Sequence, residues 1–566
     1  MKFSEIPYRR PDFDRLATAL KALTKEVQEA GASAILLDCF RRYAQEKDTY
    51  STALNIAYIR HSIDTTDHYY DSENDAFDRM GPVIMDRVLG FYRAVLDSPF
   101  REALSEKYGT ILLEKMALAV KSSDGRLIAL QQEENALVSR YEKRYAGAQI
   151  PLDGKVYTVA QLTPLKQDTD PVLRKRAYEA EGHFFKENQE ALDEIYDQLV
   201  KNRSKQAKLL GYDSFTSLGD IRLGRLGYSR KEIAACREAV AKEIVPIVAK
   251  LKQAQAARLG VPVLHYYDDT LSFLSGNPTP KGSPEALLKA GQEMYRGLSP
   301  ETAEFIDFMM ENQLFDVLST PGKAPGGYCT QIPEYSAPFI FSNFNGTFGD
   351  VDVLTHEAGH AFAAYRGMRK NLPEELVTPG LESCEIHSMS MEFLTAGAHH
   401  LFFQADTEKY SFSHLEDALV FLPYGCQVDA FQEAVYENPE MTPTERNQLW
   451  LRLDEKFRPW NRYGTLPFYG EGAGWQRQMH IYSAPFYYID YVLAQAVALQ
   501  FYQIALTDPK DAWDRYLTLL ECAGTASYPS LVHAAGLRCP YEEGTLSQLG
   551  EVLYQQLKGH PLYRSK

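Results

Sequence analysis

His356-Glu357-Ala358-Gly359-His360 places two imidazoles four residues apart with a carboxylate beside the first. On an α-helix, positions i and i+4 share a face, so both rings can aim a nitrogen at one metal ion. Glu357 then stands next to that ion, where it can take a proton from a metal-bound water, which is the chemistry of zinc-assisted peptide-bond hydrolysis. With 13 histidines in 566 residues, chance supplies this pattern in about two chains in a hundred, so the metal reading outweighs two ordinary helix histidines. The flanking residues are helical in pattern. Val351, Leu354, Ala358 and Phe362 fall on one stripe, Asp350 or Asp352 can cap the start, and Gly367 offers a stop.

Catalytic zinc takes three protein ligands and keeps a fourth position for water. A metzincin would continue with a glycine and a third histidine, but Ala363 and Arg366 stand at those places. The remaining candidates lie downstream: Glu374, Glu375, Glu382, Glu385, Glu392 and His387. Glu382 to Glu392 reads as one helix with three glutamates on a face, and spacing alone does not choose among them. Further on, His480 opens the aromatic run His480-Ile481-Tyr482-Ser483-Ala484-Pro485-Phe486-Tyr487-Tyr488-Ile489-Asp490-Tyr491, whose N–H and O–H groups could donate to an oxyanion. An aromatic core stripe is the plainer reading of any one of these tyrosines. Gly470-Glu471-Gly472-Ala473-Gly474 lacks the spacing and the strand-to-helix frame of a phosphate loop, and reads as a flexible cleft border.

The motif, the strand pair ending in Phe344-Asn345-Gly346, the segment Glu385-Ile386-His387-Ser388-Met389-Ser390-Met391-Glu392 and the aromatic run together resemble the thimet oligopeptidase and oligoendopeptidase F family of gluzincin metallopeptidases, and most closely its bacterial oligoendopeptidase F branch. The resemblance spans about 200–560 and is strongest at 326–394. It implies one Zn²⁺ held by His356, His360 and Glu385, with Glu357 as the base. It also implies that Asp352 and Glu392 accept from the ligand imidazoles, and that His480, Tyr488 and Tyr491 act on the transition state, with Tyr487 or Tyr482 able to replace either tyrosine. Gly327, Tyr328, Phe341, Asn343 and Tyr487 are expected against the substrate. The implied fold is predominantly α-helical and multi-lobed, enclosing a deep cleft that admits short peptides, with a small β-sheet next to the zinc helix.

The elements needed to position these groups are mostly helical. Leu16, Leu20, Leu23 and Val27 form one stripe, similar spacing recurs over 32–60 and 79–97, a long helix or kinked pair fills 171–210 from Asp170-Pro171 to Gly211, and another helical block covers 229–258. Asp153-Gly154 marks a hairpin within 149–159. Two short strands, around Tyr328 to Gln331 and Pro338 to Asn343, precede the motif, where an exposed edge could pair with an extended peptide. We divide the chain into an N-terminal helical lobe, 1–200, and a catalytic domain, 201–566.

At 45% hydrophobic the chain can bury a large interior. A formal charge of −16 opposes nucleic-acid binding, and no run of apolar residues reaches membrane-spanning length. The start of the chain carries no secretory pattern, and the seven cysteines are scattered without a C-x-x-C pair, so a cytoplasmic protein with reduced thiols is expected. Cys329 and Cys384 fall near the motif and read as buried thiols. The alternatives to an endopeptidase are a zinc exopeptidase on the same scaffold and a helical peptide-binding protein with a structural metal. Against the latter, a purely structural site has no use for Glu357.

Overall fold

The apolar stripes read from the sequence become the buried faces of long helices in the computed structural model, which describes residues 1–564. Leu16, Leu20, Leu23 and Val27 are the buried residues of the helix Phe13–Gln28, whose start is capped by Asp12 accepting from the Arg15 N–H. That helix packs on the long helices Ser33–Ile63 and His68–Asp97 to form an N-terminal lobe. Pro171–Leu209 is a single helix of 39 residues, begun by Asp170 accepting from Val172 N–H with proline in the first turn. A boundary at residue 200 therefore falls inside an unbroken helix. Residues on both sides of it, Leu192 and Phe215 among them, share one core with Phe431 and Trp475.

The hairpin is present as β1 (Ile150–Leu152) and β2 (Lys155–Tyr157), paired antiparallel. Its turn residues Asp153 and Gly154 have φ of 53° and 76°, the left-handed values that a two-residue hairpin turn demands. The second sheet has three strands: β3 (Phe315–Leu318), β4 (Tyr328–Ile332) and β5 (Ala337–Phe344). β5 lies in the middle, parallel to β3 and antiparallel to β4, with Tyr328 opposite Phe341 and Ile332 opposite Ala337. Most of β5 is buried, as a central strand covered on both faces must be, and β3 and β4 are the two edges.

β5 leads into the motif helix Gly349–Met368. Neither expected aspartate caps it. The N-cap is Phe348 with no side-chain bond, and Asp350 instead accepts from the Asn345 and Gly346 N–H groups at 2.9 and 2.8 Å, fixing the strand-to-helix turn. The helix also continues through Gly367. Behind it packs the helix Leu381–Leu394, which in turn packs on Tyr488–Ala505. The first of these contacts is backbone on backbone. A Cβ at Gly359 would sit 2.6 Å from the carbonyl oxygen of His387 and from the Cα of Ser388, so only glycine permits this approach. Among the described residues no helix is long and apolar enough to cross a membrane, and all seven cysteines are free.

Candidate active site

Contact at Gly359 brings Glu385, one turn from the touching backbone, up against both motif histidines. His356 Nε2 and His360 Nε2 lie 3.2 and 3.4 Å from the same oxygen, Glu385 Oε2. Tetrahedral zinc with bonds of about 2.1 Å separates its ligand atoms by roughly 3.4 Å, so two imidazoles and one carboxylate at this spacing fit the ion. Glu374, Glu375 and Glu382 stand outside this set of three converging donors.

Two of the three donors, His356 and Glu385, are held from behind. His356 Nδ1 meets Glu392 Oε1 at 2.8 Å, and the other oxygen of Glu392 meets His414 Nε2 at 2.9 Å. Glu385 receives the Tyr487 hydroxyl on Oε1 and the Ser388 hydroxyl on Oε2, the latter at 3.0 Å. These contacts fix ring and carboxylate orientation, as partners behind metal ligands do. Asp352 is placed differently from the expectation. Its carboxylate accepts from Tyr410 at 2.5 Å and has no imidazole contact, because Tyr410, from a distant helix, reaches it first.

Glu357 follows the first ligand on the same helix and is buried, with Oε2 lacking any hydrogen-bond partner. Burial pushes its carboxyl up, against the opposing pull of His356 and His360. It opens onto a cavity of about 390 Å³ that also holds the three donors, Gly327, Tyr328 and Gln331 of the β4 edge, and His480, Tyr487 and Tyr491. Cys329 and Cys384 line the same cavity, and burial pushes both thiols up, away from the reactive thiolate.

His480 is oriented by a chain that sequence reasoning missed. The Tyr424 hydroxyl donates to Gln478 Oε1 at 2.7 Å, and the Gln478 amide donates to His480 Nδ1 at 2.8 Å. Nδ1 is thus an acceptor, which leaves the proton on Nε2, 3.4 Å from the Tyr491 hydroxyl at the cavity. Burial pushes the imidazole down to about 4, so it is neutral and a donor at neutral pH.

The helix turns the tyrosines to different sides. Tyr487 and Tyr491 are i and i+4, share a face and line the cavity. Tyr488 points away and packs on Tyr424 and Phe421, with ring centroids 5.7 and 5.8 Å apart. Tyr482 is fully buried, stacked on Tyr141. Two residues expected against substrate are instead structural. Phe341 is buried on the central strand beneath Tyr328, and Asn343 ties down the preceding loop by donating to the Ala324 and Gly326 carbonyls at 2.8 and 2.9 Å.

Comparison with known proteins agrees with this geometry. Residues 3–123 match the peptidase M3 N-terminal domain, and residues 164–271 and 302–551 match peptidase family M3. The chain belongs to peptidase family M3. The structure named PZ peptidase A with an inhibitor is 44% identical over 99% of this chain and 100% of its own, with a TM-score of 0.98. A candidate oligoendopeptidase F from Bacillus anthracis (strain Ames) is 40% identical over 100% of this chain and 99% of its own, with a TM-score of 0.92. An oligoendopeptidase F homolog of Borreliella burgdorferi is 22% identical over 390 residues, or 67% of this M3 chain, and the match spans 63% of that relative's length.

Proposed function

We propose that this M3 chain is a zinc-dependent endopeptidase that cuts internal bonds of short peptides. The observation that carries the reading is the convergence of His356, His360 and Glu385 at 3.2 and 3.4 Å beside a buried, unpartnered Glu357 carboxylate, all within one cavity. Bound zinc supplies Lewis acidity toward water and toward the scissile carbonyl. Glu357 accepts the water's proton at Oε2 and hands it to the leaving amine, a transfer suited to a carboxyl whose affinity for protons burial has raised.

Three further parts of the chain act on the peptide. The β4 edge beside the cavity offers main-chain groups to an extended backbone, which sets the cleaved bond against Glu357. His480 Nε2–H and the Tyr491 hydroxyl donate to the oxygen that gains charge as the carbonyl is attacked. Tyr487 acts one step back, since its hydroxyl is committed to Glu385. Tyr488 serves as a wall that backs His480, with ring centroids 5.0 Å apart.

The test is an internally quenched peptide blocked at both ends. Zinc-loaded protein should cut it, and removal of the metal by a chelator should stop cleavage with recovery on adding zinc back. Trimming of only the free-ended peptide would replace the endopeptidase by an exopeptidase.

A further inference from the structure

One face of the helix Thr407–Glu437 carries His414, Asp417, Phe421 and Tyr424, three, four and three residues apart. At 1.5 Å per residue the stripe runs about 15 Å. It starts at the metal site, where His414 meets Glu392 at 2.9 Å, and ends at Tyr424, which holds Gln478. Alongside it opens a second cavity of about 310 Å³, walled by Asp417, Phe421, Tyr424, Trp460, Arg458 and Arg477. The two cavities are neighbours. Phe421 of the second lies 6.5 Å, ring to ring, from Tyr491 of the first, and the ring steps from His480 to Tyr488 and on to Tyr424 are 5.0 and 5.7 Å. A peptide spans that path with about three extended residues.

The charges around this cavity are uneven. Arg458 is held by Asp454 at 2.6 Å and by Gln427 at 2.7 Å, with its guanidinium over Tyr424. Arg477 pairs with Glu181 at 3.2 Å and lies over Tyr469. Lys252, the cation acting most strongly on Asp417, is itself held by Asp269 at 2.8 Å and Gln255 at 3.0 Å. Asp417 is exposed, lines the cavity and has no ion pair or hydrogen bond among the described residues, so its carboxylate faces the cavity without a countercharge of its own. The Phe421 and Trp460 rings share this wall and, among the described residues, carry no arginine or lysine over their faces.

We propose that this cavity is a subsite for a cationic group of the substrate, a lysine or arginine side chain or a free amino terminus, paired with Asp417 and resting on Phe421 and Trp460. The proposal rests on the peptidase reading of the neighbouring site. A basic group there anchors the peptide about three residues from the bond that is cut, so it selects where along a chain cleavage falls.

Blocked, quenched peptides with arginine moved one position at a time from the cleaved bond are compared with peptides carrying citrulline, its neutral isostere. At one position arginine should raise kcat/KM about tenfold, and Asp417→Asn should erase that ratio while leaving turnover of the citrulline peptides unchanged. Trp460→Leu should reduce the same ratio. A second arm compares free with acetylated amino termini on citrulline peptides, and an Asp417-dependent gain there assigns the same subsite to the terminus. Ratios in both arms that Asp417→Asn does not alter overturn the proposal. If no peptide is cut, the peptidase reading fails by itself, and calorimetry on Glu357→Gln with and without Asp417→Asn then decides the subsite. Tighter arginine binding lost with Asp417 supports it, and equal binding overturns it.

Discussion

Glu375, beside the cavity, and Glu357, inside it, show opposite uses of one side chain. Glu375 sits on the short helix Glu374–Val377 that walls the cavity, and its Oε1 receives Tyr43 at 2.7 Å, Tyr92 at 2.6 Å and Lys47 at 2.8 Å. Burial alone would raise its pKa, but Lys47 and the hydroxyls outweigh that and hold the carboxyl down to about 2. Glu357 has burial without such compensation, and its carboxyl is pushed up with Oε2 unpartnered. A neutralised carboxylate builds structure; one left without donors is free to take a proton. The clamp on Glu375 also gives the N-terminal lobe a task. Lys115 from the same lobe donates to the Glu375 and Thr378 carbonyls at 2.7 and 2.6 Å, so the lobe sets the wall that leads into the Glu385 helix.

If the contrast holds, Glu357→Gln should lower kcat by about 10³-fold or more while zinc content and melting temperature stay near those of the parent, because it removes a base and no ligand or clamp. Retained turnover would break the comparison at its first term. Glu375→Gln should do the reverse, costing about 3 kcal/mol of stability by removing the nearer carboxylate of Lys47 and leaving it Glu374 at 4.0 Å, with near-parental kcat below the melting range. A denaturant midpoint that does not move would show the clamp to be idle. Gln478→Ala should cut kcat about tenfold with little change in KM, since it frees the His480 tautomer and touches no substrate; Tyr424→Phe should give a smaller loss in the same direction. Equal losses in KM would mark Gln478 as a binding group.

A pH effect extends the contrast from acids to a base. Burial pushes His399 down to about 3, so it stays neutral when folded and takes a proton on unfolding once the pH falls below about 6.5. It therefore subtracts stability as pH drops through that window, by up to about 1.4 kcal/mol per unit. His399→Gln should flatten the fall in urea midpoint between pH 7 and pH 5, and an unchanged slope would place the lost proton uptake on other groups.

What the sequence could reveal of this site followed the range of the interactions. The motif helix, the hairpin at Asp153-Gly154 and the single long helix from Pro171 all depend on residues within a turn or two of one another, where periodicity and caps speak directly. Glu385 and Glu392 come from family resemblance alone, and the structure puts Glu385 beside His356 and Glu392 behind it. Residue count from His480 leaves Tyr487 and Tyr488 open, because Phe486, with a φ of 67°, interrupts the helix between His480 and these tyrosines. The i, i+4 relation of Tyr487 and Tyr491 held the answer in local form. Asp352, His414, Gln478 and Tyr424 had no such signal. Their partners lie on other helices up to 58 residues away, and only the packing of those helices decides which polar groups meet.

The bare backbone of Gly359 against His387 and Ser388 has a consequence for which ion the protein can keep. With no side chain between the two helices, their separation is set by main-chain contact, and only the ligand side chains can turn to adjust the distances among the two imidazoles and Glu385. A larger cation, with longer ligand bonds, would have to be met by those side-chain torsions, because the helices beneath them already touch.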